Sequence, residues 1–549
     1  MAARLSDLML VCGVNNYPAW FSDITLPNWP MPHQLDTLKQ YARKMRYLDA
    51  SEPGTGKTFP AQTHAVLMAA LGNKAMFAMP PKLILQFYQE LKDFFQGIEA
   101  HLHIAHLDVP APKKVKLFAE WDATGWPDIL LTSYDVYRIL NDPSPTKQIG
   151  PNLWFREDGS PYWKEKGVPY DNAAQPYTKD GRLINRRGRA PNPHRFRLKK
   201  NGYNVLFFDE AHALCGVESI LSTSVNDMST QLGEDVAIYL MTGTPVPTHL
   251  HDVYGLIRLI NPEAYGSKVS FQRRHCKTEE FSIKLPDNKV KRVSQITGYF
   301  NTDEVYKALY ANARRVQKRD VIEMADPLIS QVRVALSPAH RKLYRQVVND
   351  RFAVLGDAVL MPDNQSALRH LALQLISCPE KFDPSGTVTL DNELAATTDT
   401  LLDSINPANH KVIIFAYYQR TIEFLAERYA AWNPAVIYGA GTGTHEQVQR
   451  FKHDPDCRVA VINWVAGGAG LNLQVAHHII FYECPTSPKD AKQAIARSDR
   501  KGQVNIVNVY FLRVMSTLLD RNFKNLLKNE EENNQVVRDK KDLLYELLR

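Results

Sequence analysis

Residues 52–58, Glu-Pro-Gly-Thr-Gly-Lys-Thr, bring two glycines, a lysine and a hydroxyl into one turn. Such a turn lets backbone N–H groups close on phosphate oxygens. Gly54 and Gly56, with Thr55 between them, permit the approach, Lys57 reaches the β- and γ-phosphates, and Thr58 offers an oxygen to Mg²⁺. Ser51 stands where the strict form of the loop has its first glycine. Further along, NVLFFDEAH delivers two adjacent carboxylates, Asp209 and Glu210. Paired acids can divide the work of phosphoryl transfer, Asp209 completing the Mg²⁺ shell and Glu210 orienting or deprotonating the attacking water. A lone Asp-Glu is more often a cap at a strand end; beside the glycine loop it reads as the other part of an ATP site.

Such residues need rigid elements to hold them. The first half of the chain contains KAMFAMP, PDILLTSY, NVLFFDEAH and AIYLMTGTP, and the second half HKVIIFAYY, AVIYGA, CRVAVINW, HHIIFYE and NIVNVYFL. Each run is strand-sized, almost wholly apolar and ended by a turn signal, as in parallel sheets covered by helices on both faces. The expectation is an α/β protein of two parallel-sheet lobes in tandem, with ligands at the carboxyl ends of the strands. Residues 1–265 read as the first lobe, interrupted over about 141–202 by an insert rich in Pro, Gly, Arg and aromatics. Residues 266–400 turn helical and charged and read as a linking helical module. Residues 401–515 form the second lobe, and 516–549 a helical tail.

Composition sets limits on this reading. At 549 residues the chain exceeds one ordinary core, and 44% hydrophobic with 23% charged residues excludes wholesale disorder or a fibre. No stretch reaches about 18 uninterrupted apolar residues, so a cytoplasmic protein without membrane contact is expected. Six scattered cysteines form no CxxC pair and read as reduced thiols. The net charge is +7, yet residues 181–200 alone carry eight Lys or Arg and no acid. Arg186, Arg187, Arg189, Arg195 and Arg197 lie there, among tryptophans and tyrosines of the insert. The mixture suits either a solvated loop or a groove that contacts phosphates and stacks bases.

Three segments, GKT at 56–58, DEAH at 209–212 and TGTP at 242–245, resemble motifs I, II and III of superfamily-two helicases. VAGGAGLNL (465–473) and QAIARSDRKGQ (493–503) resemble motifs V and VI of Swi/Snf-type translocases, and the resemblance covers about Pro32 to Leu512 in family order. It implies two RecA-like lobes. It also implies an adenine-reading glutamine at Gln34, nucleotide contacts from Gly470 and Gln493, and coupling of hydrolysis to motion through His212, Thr242, Gly243 and Thr244. Arg497 and Arg500 are implied as fingers from the second lobe, neutralising charge that the first lobe alone leaves on the γ-phosphoryl group. Pro81 and Lys82, Thr132, Ser133 and Tyr134, Tyr417 and Gln419, and Gly467 and Gly468 stand at the family's nucleic-acid-contacting segments.

Together these features lead to the expectation of an ATP- and Mg²⁺-dependent motor on nucleic acid, double-stranded or branched DNA foremost, acting as a monomer and of bacterial or phage origin. A strand-separating or branch-migrating helicase and an ATP-controlled binding switch with slow turnover are the alternatives.

Overall fold

The computed structural model describes residues 3–140, 146–148, 153–155, 161–165, 168–170, 189–191, 196–216, 222–223, 225, 235–284, 290–355, 358–382, 390–438, 443–465, 471–500 and 502–539. The first sheet comprises β1 (Arg46–Asp49), β2 (Lys74–Met79), β3 (Ile104–His106), β4 (Ile129–Ser133), β5 (Tyr203–Asp209), β6 (Ala237–Met241) and β7 (Ala313–Arg314), in the order β7-β1-β6-β5-β2-β4-β3. The second comprises β8 (Leu328–Val334), β9 (Val412–Ala416), β10 (Ala435–Ile437), β11 (Val459–Asn463), β12 (His478–Phe481) and β13 (Asn508–Val514), in the order β8-β13-β12-β9-β11-β10. Every pairing in both sheets is parallel. The fold is the expected one, α/β with two RecA-like lobes in tandem.

The all-apolar strands follow from burial on both faces. Leu206 and Phe208 of β5 point into one core with Leu48, Met76 and Leu240. Val205 and Phe207 point into the other with Tyr47, Phe77 and Tyr239, and the rings of Phe77 and Phe207 stack at 4.5 Å. In the second lobe Ile414 and Val461 face one layer, Ile413 and Phe481 the other. Proline occupies the first turn of several helices and fixes where they begin, as in Pro32–Arg43, Pro81–Phe94 and Pro488–Ile495.

The structure corrects the helical module expected over 266–400. Cys276–Lys284 and Val290–Tyr299 form an antiparallel hairpin. Helix Thr302–Tyr310 buries Val305 and Leu309 in the first lobe, whose sheet also takes β7. Edge strand β8 belongs to the second lobe, where Leu343, Leu375 and Leu394 from the following helices are buried. The period-two pattern of LISQVRV was hidden because the neighbouring segments carry charges at helical spacing. Over the expected helical tail, helix Leu518–Val537 packs on both lobes, burying Leu519 in the second and Val536 in the first. In the insert, the described backbone pairs Leu153–Phe155 with Pro161–Glu165, and that strand with Val168–Tyr170, while Thr146–Gln148 pairs with Arg189–Pro191. Among the described residues all six cysteines are free and buried, and no helix is long and apolar enough to cross a membrane.

Candidate active site

At the end of β1 the chain turns through Gly54 (φ +86°) and Gly56 (φ +79°), left-handed conformations that glycine adopts without strain. A Cβ on Gly56 would lie 2.4 Å from Gln34 Nε2. Gln34 accepts the Met31 N–H at Oε1 (2.8 Å) and donates from Nε2 to the Gly56 carbonyl (3.0 Å), while His33 Nε2 sits 2.8 Å from the Thr55 carbonyl. The helix carrying the expected adenine reader therefore shapes the phosphate loop, and in this state the Gln34 amide is occupied by backbone. Lys57 folds over the loop and donates to the carbonyls of Ser51 (2.7 Å) and Glu52 (3.0 Å). Thr58 opens the helix Thr58–Ala70, whose N-terminus favours anions.

Strand β5 delivers Asp209, and Glu210 follows in a left-handed conformation (φ +53°, ψ +46°), a strained geometry for a non-glycine residue and one that clusters at functional sites. His212 Nδ1 lies 3.2 Å from both Glu210 Oε2 and Thr242 Oγ1. Thr242 Oγ1 accepts the Thr244 N–H (3.2 Å), and the Thr242 N–H donates to the Asp49 carbonyl. Gly243 packs so closely on the phosphate loop that a Cβ there would stand 2.5 Å from Pro53 Cδ. Glu210, His212, Thr242, Gly243 and Thr244 thus form one contiguous run from the acid pair to the loop.

Burial, and then the charge of Glu210, pushes the Asp209 carboxyl well above its usual range, with Lys57 opposing. Burial acts on Glu210 in the same direction but is outweighed by the hydrogen bond and charge of His212 and by the charges of Lys57 and Arg497, so Glu210 stays below its usual range. One carboxylate thus lacks a sufficient cation while its neighbour has several. The Asp209 carboxylate and the Thr58 hydroxyl are hard oxygen donors of the kind Mg²⁺ takes, so the residues present fit that ion.

The second lobe faces this acid pair. Gln493, on helix Pro488–Ile495, donates from Nε2 to Glu210 Oε2 at 3.5 Å. Arg497 is 8% exposed, and its Nε is buried with no hydrogen-bond partner among the described residues. Burial, then the like charge of Arg500, lowers Arg497 to about 10, with Glu210 opposing. Arg500 donates to the Leu471 carbonyl (3.3 Å), and the charge of Glu90, on helix Pro81–Phe94, supports it against burial. An orphaned guanidinium nitrogen on an arginine whose charge reaches Glu210 is what a bound polyphosphate would satisfy.

Several organising residues escaped the sequence reading. Lys318, beyond β7, pairs through Nζ with Asp499 while its N–H donates to Glu52 Oε2 (2.8 Å), joining the phosphate loop to the arginine segment. Arg315 donates to the carbonyls of Ala50 (2.7 Å) and Gly243 (3.2 Å) and pairs with Asp539. Asp499 was visible between the two arginines of RSDR, but its partner lies 181 residues away. A cavity of 430 Å³ at this junction touches Glu52 and Pro53 but neither Lys57 nor Asp209, and so lies beside the phosphate site.

The expected nucleic-acid residues divide. Pro81 and Lys82 open a helix at the cleft's rim, and partial burial followed by the like charge of Arg497 lowers Lys82. Tyr417 is 42% exposed with its ring 5.5 Å from Trp464, and exposed Gln419 bonds to Glu423. Buried Glu483, also missed, accepts the N–H groups of Tyr417 (2.5 Å) and Tyr418 (3.2 Å) and the Thr421 hydroxyl (2.9 Å), fixing this loop. Four further expected nucleic-acid residues, Thr132, Ser133, Tyr134 and Arg197, have their side chains engaged within the protein. Thr132 is fully buried, Ser133 Oγ caps Val136 N, and the Tyr134 hydroxyl donates to the Asp209 carbonyl (2.6 Å). Arg197 pairs with Asp122 and lies 5.0 and 5.1 Å from the ring centroids of Phe118 and Trp126, anchoring the exit of the insert. Gly467, Gly468, Gly470, Arg186, Arg187, Arg195 and the Arg189 side chain lie outside the described residues.

A phosphate loop and acid pair on one parallel-sheet lobe, met by arginines from a second, define a two-lobed superfamily-two helicase core. Residues 38–380 match the SNF2-related domain and residues 395–502 the helicase conserved C-terminal domain, and the chain belongs to the SNF2-related family. An uncharacterized ATP-dependent helicase of Bacillus subtilis is 21% identical, covering 99% of this chain and 86% of its own length. A CHD3-type chromatin-remodeling factor of Arabidopsis thaliana is 26% identical over 58% of this chain, and the mouse chromodomain-helicase-DNA-binding protein 1-like is 24% identical over 62%. The chain spans 26% and 37% of those two relatives' lengths. The Sulfolobus solfataricus SWI2/SNF2 ATPase core in complex with dsDNA aligns over 93% of this chain and 97% of its own, at 16% identity and a TM-score of 0.36.

Proposed function

We propose that the protein is an ATP-hydrolysing motor that translocates along double-stranded DNA. The observation that carries this reading is the meeting of Gln493 and Arg497 from the second lobe with Glu210 of the first, beside the Lys57 loop. Lys57 would exchange its loop carbonyls for phosphate oxygens on nucleotide binding. Thr58 and Asp209 would hold Mg²⁺, which when bound would offset the charge of the phosphates. Glu210, kept ionised by its cationic neighbours, orients the attacking water and takes its proton. Arg497 and Arg500 neutralise charge that spreads over the γ-phosphoryl oxygens.

Because these arginines belong to the other lobe, hydrolysis requires closure and product release permits opening; repeated closure is the stroke of a motor. The run Glu210–His212–Thr242 would carry the state of the γ-phosphate to the Pro53 side of the loop. Lys82, Tyr417 and Gln419 sit at carboxyl strand ends beside the cleft, where strokes would be felt by a bound backbone. DNA as the track is supported by the relatives named as chromatin remodelers and as DNA-binding. ATP turnover with duplex DNA, single-stranded DNA, forks and RNA tests the reading: stimulation of at least about tenfold by plain duplex, lost steeply with salt, is expected. Equal turnover with and without DNA contradicts it, and vigorous unwinding of a simple fork replaces it with a strand-separating helicase.

A further inference from the structure

At the amino ends of two interior strands of the second sheet, three histidines from two distant segments converge. His410 lies just before β9, and His477 and His478 lie at the start of β12. Register brings them together: His478 is the cross-strand partner of Val412 in β9 and of Asn508 in β13, and the Asn508 N–H donates to the His477 carbonyl (2.7 Å). All three rings are half-buried, and one ligating nitrogen from each lies within 4.8 Å of the others. Ring centroids are 5.1 Å apart for His410–His477, 5.5 Å for His410–His478 and 4.6 Å for His477–His478, at interplanar angles of 85°, 54° and 47°. His478 Nδ1 is buried without a hydrogen-bond partner among the described residues. Among the described residues this is the one group of three His, Cys, Asp or Glu side chains that converges in this way.

We propose that His410, His477 and His478 form a binding site for a zinc-class transition metal, separate from the nucleotide cleft. The His478 ring, whose buried Nδ1 has no hydrogen-bond partner among the described residues, stands beside two further imidazoles. Zinc takes imidazole nitrogen at about 2.0–2.1 Å in tetrahedral geometry, which sets ligand nitrogens about 3.3 Å apart, and small side-chain rotations from the observed spacing reach it. The fourth position is left to water or an anion. The ion clips the starts of β9 and β12, and through the His477 carbonyl β13, into one unit. Five residues of β9, at about 3.3 Å each, separate it from the cleft edge, so it acts on the lobe's stability and not on the phosphates.

The test uses the untagged, metal-stripped full chain titrated with Co²⁺ and, in parallel, Zn²⁺. The expected result is one equivalent of Co²⁺ with visible absorption of a tetrahedral or five-coordinate ion. Zinc should displace it, and a hundredfold excess of Zn²⁺ over the dissociation constant should raise the melting midpoint by about 5 °C. His410→Gln and His477→Asn should each weaken binding at least about tenfold and remove the thermal shift, while His249→Asn, at another surface histidine pair, changes neither. Circular dichroism of the metal-free variants separates lost ligation from lost folding. Absence of binding tighter than about 100 µM, or binding that survives in the His410→Gln/His477→Asn double variant, overturns the proposal.

Discussion

Gln493 and Glu210 meet across the two lobes, the glutamine Nε2 donating to the glutamate Oε2 over 3.5 Å. Glu210 is thereby the point at which the first lobe's chemistry senses the second. A hydrogen bond to a charged group contributes about 1.5–3 kcal/mol, roughly 10- to 100-fold in rate when it acts in the transition state. Gln493→Ala should lower turnover by about that factor with nucleotide affinity changed less than about threefold. Steady-state kinetics beside nucleotide titration checks it; unchanged turnover means the contact does not persist in the closed state.

Glu210→Gln keeps the shape of the side chain and removes the base. General-base catalysis contributes typically about 10²- to 10⁴-fold, so hydrolysis should fall by that order while ATP still binds. The variant should trap the nucleotide-bound, closed form. Turnover near wild type would move the base elsewhere.

Tyr134 was expected to touch nucleic acid, yet its hydroxyl bonds to the Asp209 carbonyl and its ring stacks on Phe208 at 6.3 Å. Tyr134→Phe should therefore leave DNA affinity unchanged within about twofold and lower ATP turnover by about three- to tenfold, one neutral hydrogen bond's worth. Weakened DNA binding with normal turnover would restore the original assignment.

Asp539 is 3% and Arg315 9% exposed at the side chain, and their ion pair ties the end of the C-terminal helix to the phosphate loop through the carbonyls of Ala50 and Gly243. Asp539→Ala strands a buried guanidinium, so a loss of about 3 kcal/mol in the unfolding free energy measured by chemical denaturation is expected. A change under about 0.5 kcal/mol would show that solvent reaches the arginine easily.

The local chemistry was legible because each element announces itself over a few residues. RYLDAS ends in a glycine loop, NVLFFDEAH places its acids after an apolar strand, and Pro81 and Pro488 mark helix starts. Pairings over long separations were not legible: Lys318 meets Asp499, and Arg315 meets Asp539, only after two sheets have formed. The boundaries of the linking segment failed for a related reason. Strand β8 joins a partner, β13, that lies about 180 residues further on, and nothing within LISQVRV states which sheet it enters. Thr132 and Ser133 show the limit of assigning roles by position alone, since a strand-end hydroxyl serves equally as a buried cap.

The central claim is that catalysis is completed only when the second lobe's arginines reach nucleotide held by the first. Single-turnover hydrolysis of bound ATP by Arg497→Ala, measured with saturating duplex DNA beside equilibrium nucleotide binding, tests it most directly. A fall of about 10³-fold in the hydrolytic rate with ATP affinity within about fivefold is the predicted result. A hydrolytic rate within about threefold of wild type would contradict the two-lobed clamp.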